Sequence, residues 1–244
     1  MIRPDILVYN AQKRCWVTSL KQFVKVKPGC RLHDVIKVNN TAYLMMTPLP
    51  NYSLPDGSVP EGYIESINLD TACQEYKVDR VLLSKIPDEL ASKEFGCVRV
   101  GNKIYAVGDG GAGIFNTETG VWSRLAPPIG SISSGRPVLA WCPPHVYLVS
   151  ARLEDSTNVL QMLDTETGQW RRMPSLETRM TVLDLICHNG LLYLVGWQPA
   201  RNNFVLALDR DTGETRVVLE GLQGVWTRGL VVRGTYFTDI INTS

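Results

Sequence analysis

The stretch IFNTETGVW (114–122) nearly recurs as MLDTETGQW (162–170). A repeat of this kind constrains a fold more tightly than composition does, because each copy must build the same unit. In both copies an alternating apolar run ends in Asn or Asp, a polar turn follows, and a large side chain stands six positions after that residue. The same spacing relates Asn10 to Trp16, Asp70 to Tyr76, Asn116 to Trp122, Asp164 to Trp170 and Asp209 to Thr215. Asp or Asn can bond its own backbone two residues on, and Gly120, Gly168 and Gly213 supply positive φ, so each phrase predicts two antiparallel strands joined by a tight turn.

A second phrase alternates with the first. It is an alternating run, a short turn such as HNG or VGN, and a strand bearing tyrosine at Tyr43, Tyr105, Tyr147, Tyr193 or Tyr236. With the strands named a to d, the chain reads c-d, then a-b-c-d four times, then a-b. The two ends are complementary halves of one unit. The expectation is an all-β β-propeller of about five four-stranded blades, a single domain over 1–244. Its ring closes when the final a-b pair (226–240) joins the opening c-d pair (5–20), leaving no open sheet edge. The tyrosines, with Trp16, Trp122 and Trp170, are expected to pack between blades.

Units of this length, with the strand-b tyrosine, the strand-d tryptophan and the turn between c and d, resemble the kelch repeat. GNKIYAVGDGGAGIFNTETGVWSRLAPP (101–128) is the best copy. The di-glycine after strand b is present as Gly110-Gly111, whereas the corresponding places hold Thr47-Pro48, Ser150-Ala151 and Gly196-Trp197. No GH…WD pair supports the related WD40 repeat.

Because strands alternate up and down, the b-c and d-a connections share one end of the blades and the tight turns share the other. The long segments, including the Pro/Gly-rich insertion 48–62 and the stretch 83–95 with room for a short helix, fall at the first end. Loops on a rigid scaffold commonly carry binding. Tyr52, Arg136, Arg152, Arg179, Trp197, Arg201 and Asn202 would lie there, with Trp226 at the start of a strand, and arginine and aromatic side chains are favoured at interface hot spots. The kelch resemblance implies that arginines leading into strand a hold acidic peptide segments; Arg136 and Arg179 occupy that place.

Signals for chemistry are weak. GDGGAG (108–113) matches a dinucleotide fingerprint, but a strand and a turn follow it where a helix N-terminus should receive the pyrophosphate. His33, His145 and His188 fall at different ends of their units, so no metal site is expected, and no cofactor. Cys97, Cys142 and Cys187 fall in strand a of successive units and are expected as free core thiols, like the other cysteines. With 25 basic and 24 acidic residues the chain has no net field toward nucleic acid or an anionic membrane. The first residues lack the apolar stretch of a signal peptide, which leads to an expected place in the cytosol or nucleus.

The sequence thus favours a non-catalytic module binding a peptide or acidic segment of another protein at the b-c/d-a end. By the kelch resemblance it would serve as the substrate-recognition part of a ubiquitin ligase adaptor. Two alternatives stand beside it: a propeller lyase, isomerase or hydrolase acting on a small polar metabolite in a central pocket, and a structural subunit that uses 48–62 as a contact surface.

Overall fold

The computed structural model describes residues 7–10, 15–19, 26–70, 80–91, 93–130, 132, 135–151, 157–174, 176, 180–198 and 202–222. The chain forms two compact units, Met1–Pro128 and Ile129–Ser244.

The first unit opens with a hairpin, β1 (Leu7–Asn10) and β2 (Cys15–Ser19). Two four-stranded sheets follow: β3 (Cys30–Val38), β4 (Thr41–Pro48), β5 (Tyr63–Asn68) and β6 (Arg80–Lys85), then β7 (Phe95–Val100), β8 (Lys103–Gly108), β9 (Gly111–Asn116) and β10 (Val121–Leu125). The second unit holds two more: β11 (Val138–Cys142), β12 (His145–Ala151), β13 (Asn158–Asp164) and β14 (Trp170–Arg172), then β15 (Thr181–His188), β16 (Leu191–Gln198), β17 (Asn202–Leu208) and β18 (Thr215–Leu222). Every sheet is an antiparallel meander in chain order. Within each unit the first strands of the two sheets pack together, β3 against β7 and β11 against β15.

The repeated phrase is the turn it promised. Asn116, Asp164 and Asp209 each accept backbone N–H bonds from the residues two and three positions on, at 2.8–3.2 Å. Each backbone carbonyl also receives the N–H of Gly120, Gly168 or Gly213, which hold φ of 70°, 71° and 76°. The first two strands of every four-stranded sheet are joined by two residues only: Asn39-Asn40, Gly101-Asn102, the cis Pro143-Pro144, and Asn189-Gly190.

Burial falls from the second strand of a sheet to the fourth. Strand β4 is buried over Ala42–Thr47, whereas β14 has no buried residue. The strand-b tyrosines Tyr43, Tyr105, Tyr147 and Tyr193 are all buried, and burial raises the pKa of Tyr105 and Tyr147. Tyr43 meets Phe115 edge-on, and Phe115 in turn meets Trp122 at 5.4 Å between centroids. Trp122 and Trp170 are half-buried, less enclosed than the sequence suggested, because the outer strand has a neighbouring strand on one side only.

Three expectations meet limits or corrections. The spacing in the first four-stranded sheet places strand d at Tyr76, but β6 begins at Arg80; Tyr76 itself lies outside the described residues. The closing strands 226–240 also lie outside them, as does Tyr236. Cys142 and Cys187 are not free thiols: they form a disulfide with Cα atoms 5.4 Å apart, inside the usual span. The two cysteines stand one repeat apart, at the same place in neighbouring first strands. Side-by-side packing of β11 and β15 therefore brings them together.

Candidate functional site

Residue placement follows from the strand ends. Cys142 and Cys187 close β11 and β15 and are bonded, so both strands finish at the same end of the second unit. Arg136, exposed in the segment leading into β11, therefore lies at the other end. Trp197 lies there too, half-buried and opposite Thr181 at the start of β15. Asn202 opens β17 at that end. Arg152, Arg179, Arg201 and Trp226 lie outside the described residues.

In the first unit the corresponding end carries the insertion between β4 and β5, which the structure shows as an ordered loop. Leu49 donates its N–H to the Gly29 carbonyl at 2.7 Å, and Leu54 and Gly57 close a turn through Leu54 N–H to Ser58 O and Gly57 N–H to Leu54 O, both 2.8 Å. Asp56 accepts from the Ser58 N–H and hydroxyl at 2.9 and 2.6 Å, the hydroxyl bond being the larger cause of its carboxyl lying below the ordinary value. Tyr52 braces the loop: its ring lies against Gly29, so closely that a Cβ there would come within 2.3 Å of it. Such a position can only be glycine, and Gly29 also holds φ 75°.

The loop nevertheless leaves apolar surface in solvent: Leu49 is 39% exposed, Tyr52 37% and Val59 66%. Leu49 and Val59 were not singled out by sequence. The signal was available, since both lie within a Pro/Gly-rich segment that would otherwise be expected to be polar.

The other candidates resolve as structure. Gly110 is packed under the helical turn Asp88–Ala91, where an added Cβ would stand 1.8 Å from the Glu89 carbonyl oxygen. The GDGGAG glycines thus make the bend between β8 and β9 and leave space for that turn. His33 is buried, stacked on Phe95 with ring centroids 4.0 Å apart, with Nε2 2.6 Å from the Phe95 carbonyl oxygen. Cys97 is buried in β7; burial raises the pKa of the Cys30 thiol, with Lys27 opposing.

Neither a protein-family model nor a curated protein matches the sequence. Among solved structures the chain is similar to an oligogalacturonate lyase in complex with manganese, at 11% identity and TM-score 0.52, over 78% of this chain and 53% of that one. The fold is that of a β-propeller. A nidogen/laminin complex also matches, at 13% identity and TM-score 0.49, over 68% of this chain and 61% of that one. The chain thus spans about half the length of the lyase it matches. At such identities the likeness concerns the fold. The four four-stranded sheets are blades; within the first unit the b-c connection carries Tyr52, and within the second the corresponding end carries Arg136 and Trp197.

Proposed function

We propose that the chain is a non-catalytic protein-interaction module of kelch-like blades that holds a peptide segment of a partner protein at the b-c/d-a end. The observation that carries this reading is the insertion between β4 and β5. It is fixed by its own hydrogen bonds and by the Tyr52 brace, yet it keeps Leu49, Tyr52 and Val59 in solvent. An ordered loop that exposes apolar side chains on a rigid sheet has the properties of a docking surface.

Arg136 adds a cation at the corresponding end of the second unit, and Arg152, Arg179 and Arg201 belong to the same class of connection in the sequence. This set favours an acidic segment as the partner's contribution, because guanidinium groups bind carboxylates through paired, charge-assisted hydrogen bonds. In the cytosol or nucleus such a module would act as the substrate-recognition part of a ubiquitin ligase adaptor, a role supported by the kelch resemblance.

Val59→Ser and Arg136→Glu test the reading, since both residues are exposed and neither change disturbs a core. Each should reduce capture of the partner from the native source, with the thermal midpoint of unfolding almost unmoved. Capture undiminished in both variants would refute the assignment of this end.

A further inference from the structure

The opposite end of the second unit carries a cleft of about 250 Å³, lined among others by His145, Tyr147, Met162, Arg171, Met173 and Arg210. Its floor is one row of the blade β11–β14. Tyr147 on β12 stands directly across from Met162 on β13, and Met162 directly across from Arg171 on β14. Residues opposite one another in an antiparallel sheet share a face. His145 and Met173 extend the row, each two positions from a member of it, on the same side of its strand.

The wall comes from the next blade, in the turn between β17 and β18. Asp209 fixes that turn through its bonds to the Asp211 and Thr212 N–H groups, and Gly213 lies close against Pro174. Arg210 is held over the floor. Its Nη1 is 3.4 Å from the Pro143 carbonyl oxygen and 3.7 Å from Cys142 Sγ, the sulfur of the disulfide that ties the two blades. Burial raises the pKa of Tyr147, and the nearby Arg210 guanidinium opposes that rise.

The charge is unbalanced. Arg171 has no ion-pair partner among the described residues. Among the described residues Arg210 has only Asp211, a carboxylate that also lines the cleft, at 4.0 Å from Nε and with its side chain 88% exposed, a geometry that contributes little. Asp164, across from His145, gives Oδ1 to the Glu166 and Thr167 N–H groups. The Nδ1 of His145 is buried and has no hydrogen-bond partner among the described residues.

We propose that this cleft binds a small organic anion. Its carboxylate or phosphate group would lie between Arg171 and Arg210 within reach of the Tyr147 hydroxyl, and its apolar body would rest on Met162 and Met173. The size agrees: a cavity of about 150 Å³ takes benzene, so this one has room for a ring or short aliphatic body and one anionic group. The site lies at the end away from Arg136 and Trp197 and does not depend on the peptide-docking reading.

Four probes decide the matter by calorimetric titration of the full chain: phenyl phosphate, phenylacetate, inorganic phosphate and benzyl alcohol. Saturable binding by phenyl phosphate or phenylacetate is expected, the tighter of the two identifying the head group. Inorganic phosphate and benzyl alcohol, each lacking one half of the ligand, should bind at least about tenfold more weakly. Arg171→Met should weaken the anion by about tenfold or more without moving the unfolding midpoint, because Arg171 is exposed. Arg171→Lys should retain part of the affinity, and Arg210→Met should repeat the loss from the other wall. No saturable binding of either organic anion, equal binding by Arg171→Met, or benzyl alcohol binding as tightly as the anions would each overturn the proposal.

Discussion

Gly29→Ala isolates the brace on which the docking loop depends. Gly29 holds φ 75°, and its new Cβ would meet Tyr52 Cδ1 and Cε1 at 2.3 Å and Pro60 Cγ at 2.7 Å. The left-handed conformation alone costs about 1–2 kcal/mol for a residue with Cβ. The ring must also leave. Tyr52 is 37% exposed, so roughly 120 Å² of its surface is covered, worth at most about 3 kcal/mol at ~25 cal/mol per Å². Losing half of that contact adds ~1.5 kcal/mol, for a total of about 2.5–3.5 kcal/mol.

Gly57 is the internal control, with φ 83° and no atom within 4 Å of an added Cβ. Gly57→Ala should therefore cost only the conformational part, about 1–2 kcal/mol. In a Tyr52→Ala background the cost of Gly29→Ala should fall by about 1.5 kcal/mol, the coupling between the two positions, with the Pro60 contact remaining. Urea unfolding of the four variants measures all of this. Equal costs for Gly29→Ala and Gly57→Ala, with no coupling to Tyr52, would refute the brace.

Two further outcomes are expected. Backbone N–H bonds, chiefly from Thr167 and Thr212, hold the Asp164 and Asp209 carboxyls below their ordinary pKa. Their contribution to stability is thus present above the unfolded value and lost as pH falls through the lower folded one. Asn116 makes the same bonds in its own turn without titrating. Asp164→Asn with Asp209→Asn should keep the turns and flatten the loss of stability below about pH 4; an unchanged acid limb in urea midpoints would contradict this. Gly110→Ala should cost about 1–3 kcal/mol by overpacking against the Glu89 carbonyl. Unaltered stability would show that the glycine serves something other than packing.

Much of the fold was legible because its unit is local. A turn capped by Asp or Asn and closed by glycine is written in consecutive residues, and the alternation of its flanking strands fixes their register. Information carried between units was harder to read. Cys142 and Cys187 lie one repeat apart, so the periodicity held the disulfide, but only knowledge that β11 and β15 pack side by side turns spacing into a bond. A second example is the bulge after Leu32 in β3 and after Val182 in β15, where Asp34 and Asp184 each accept the N–H of the next residue. Both aspartates stand nine positions before the strand-b tyrosine, a regularity hidden by the stronger alternating pattern.

The candidate sites divide in the same way. Tyr52, Arg136 and Trp197 were placed at the correct strand ends by counting strands. What composition could not convey is that the insertion is ordered, since this depends on a tyrosine finding a glycine far away in sequence. The cleft with Arg171 and Arg210 lies at the tight-turn end, where short connections suggested nothing to bind. It arises because the turn of one blade overhangs the sheet of its neighbour.

The most direct test of the account is chemical cross-linking of the chain to a partner captured from its native source, read by mass spectrometry. Cross-links should gather on segment 49–62 and on the segments leading into first strands, around residue 136. Cross-links gathered instead on the turns at 116–120, 164–168 and 209–213, with segment 49–62 unmarked, would contradict it.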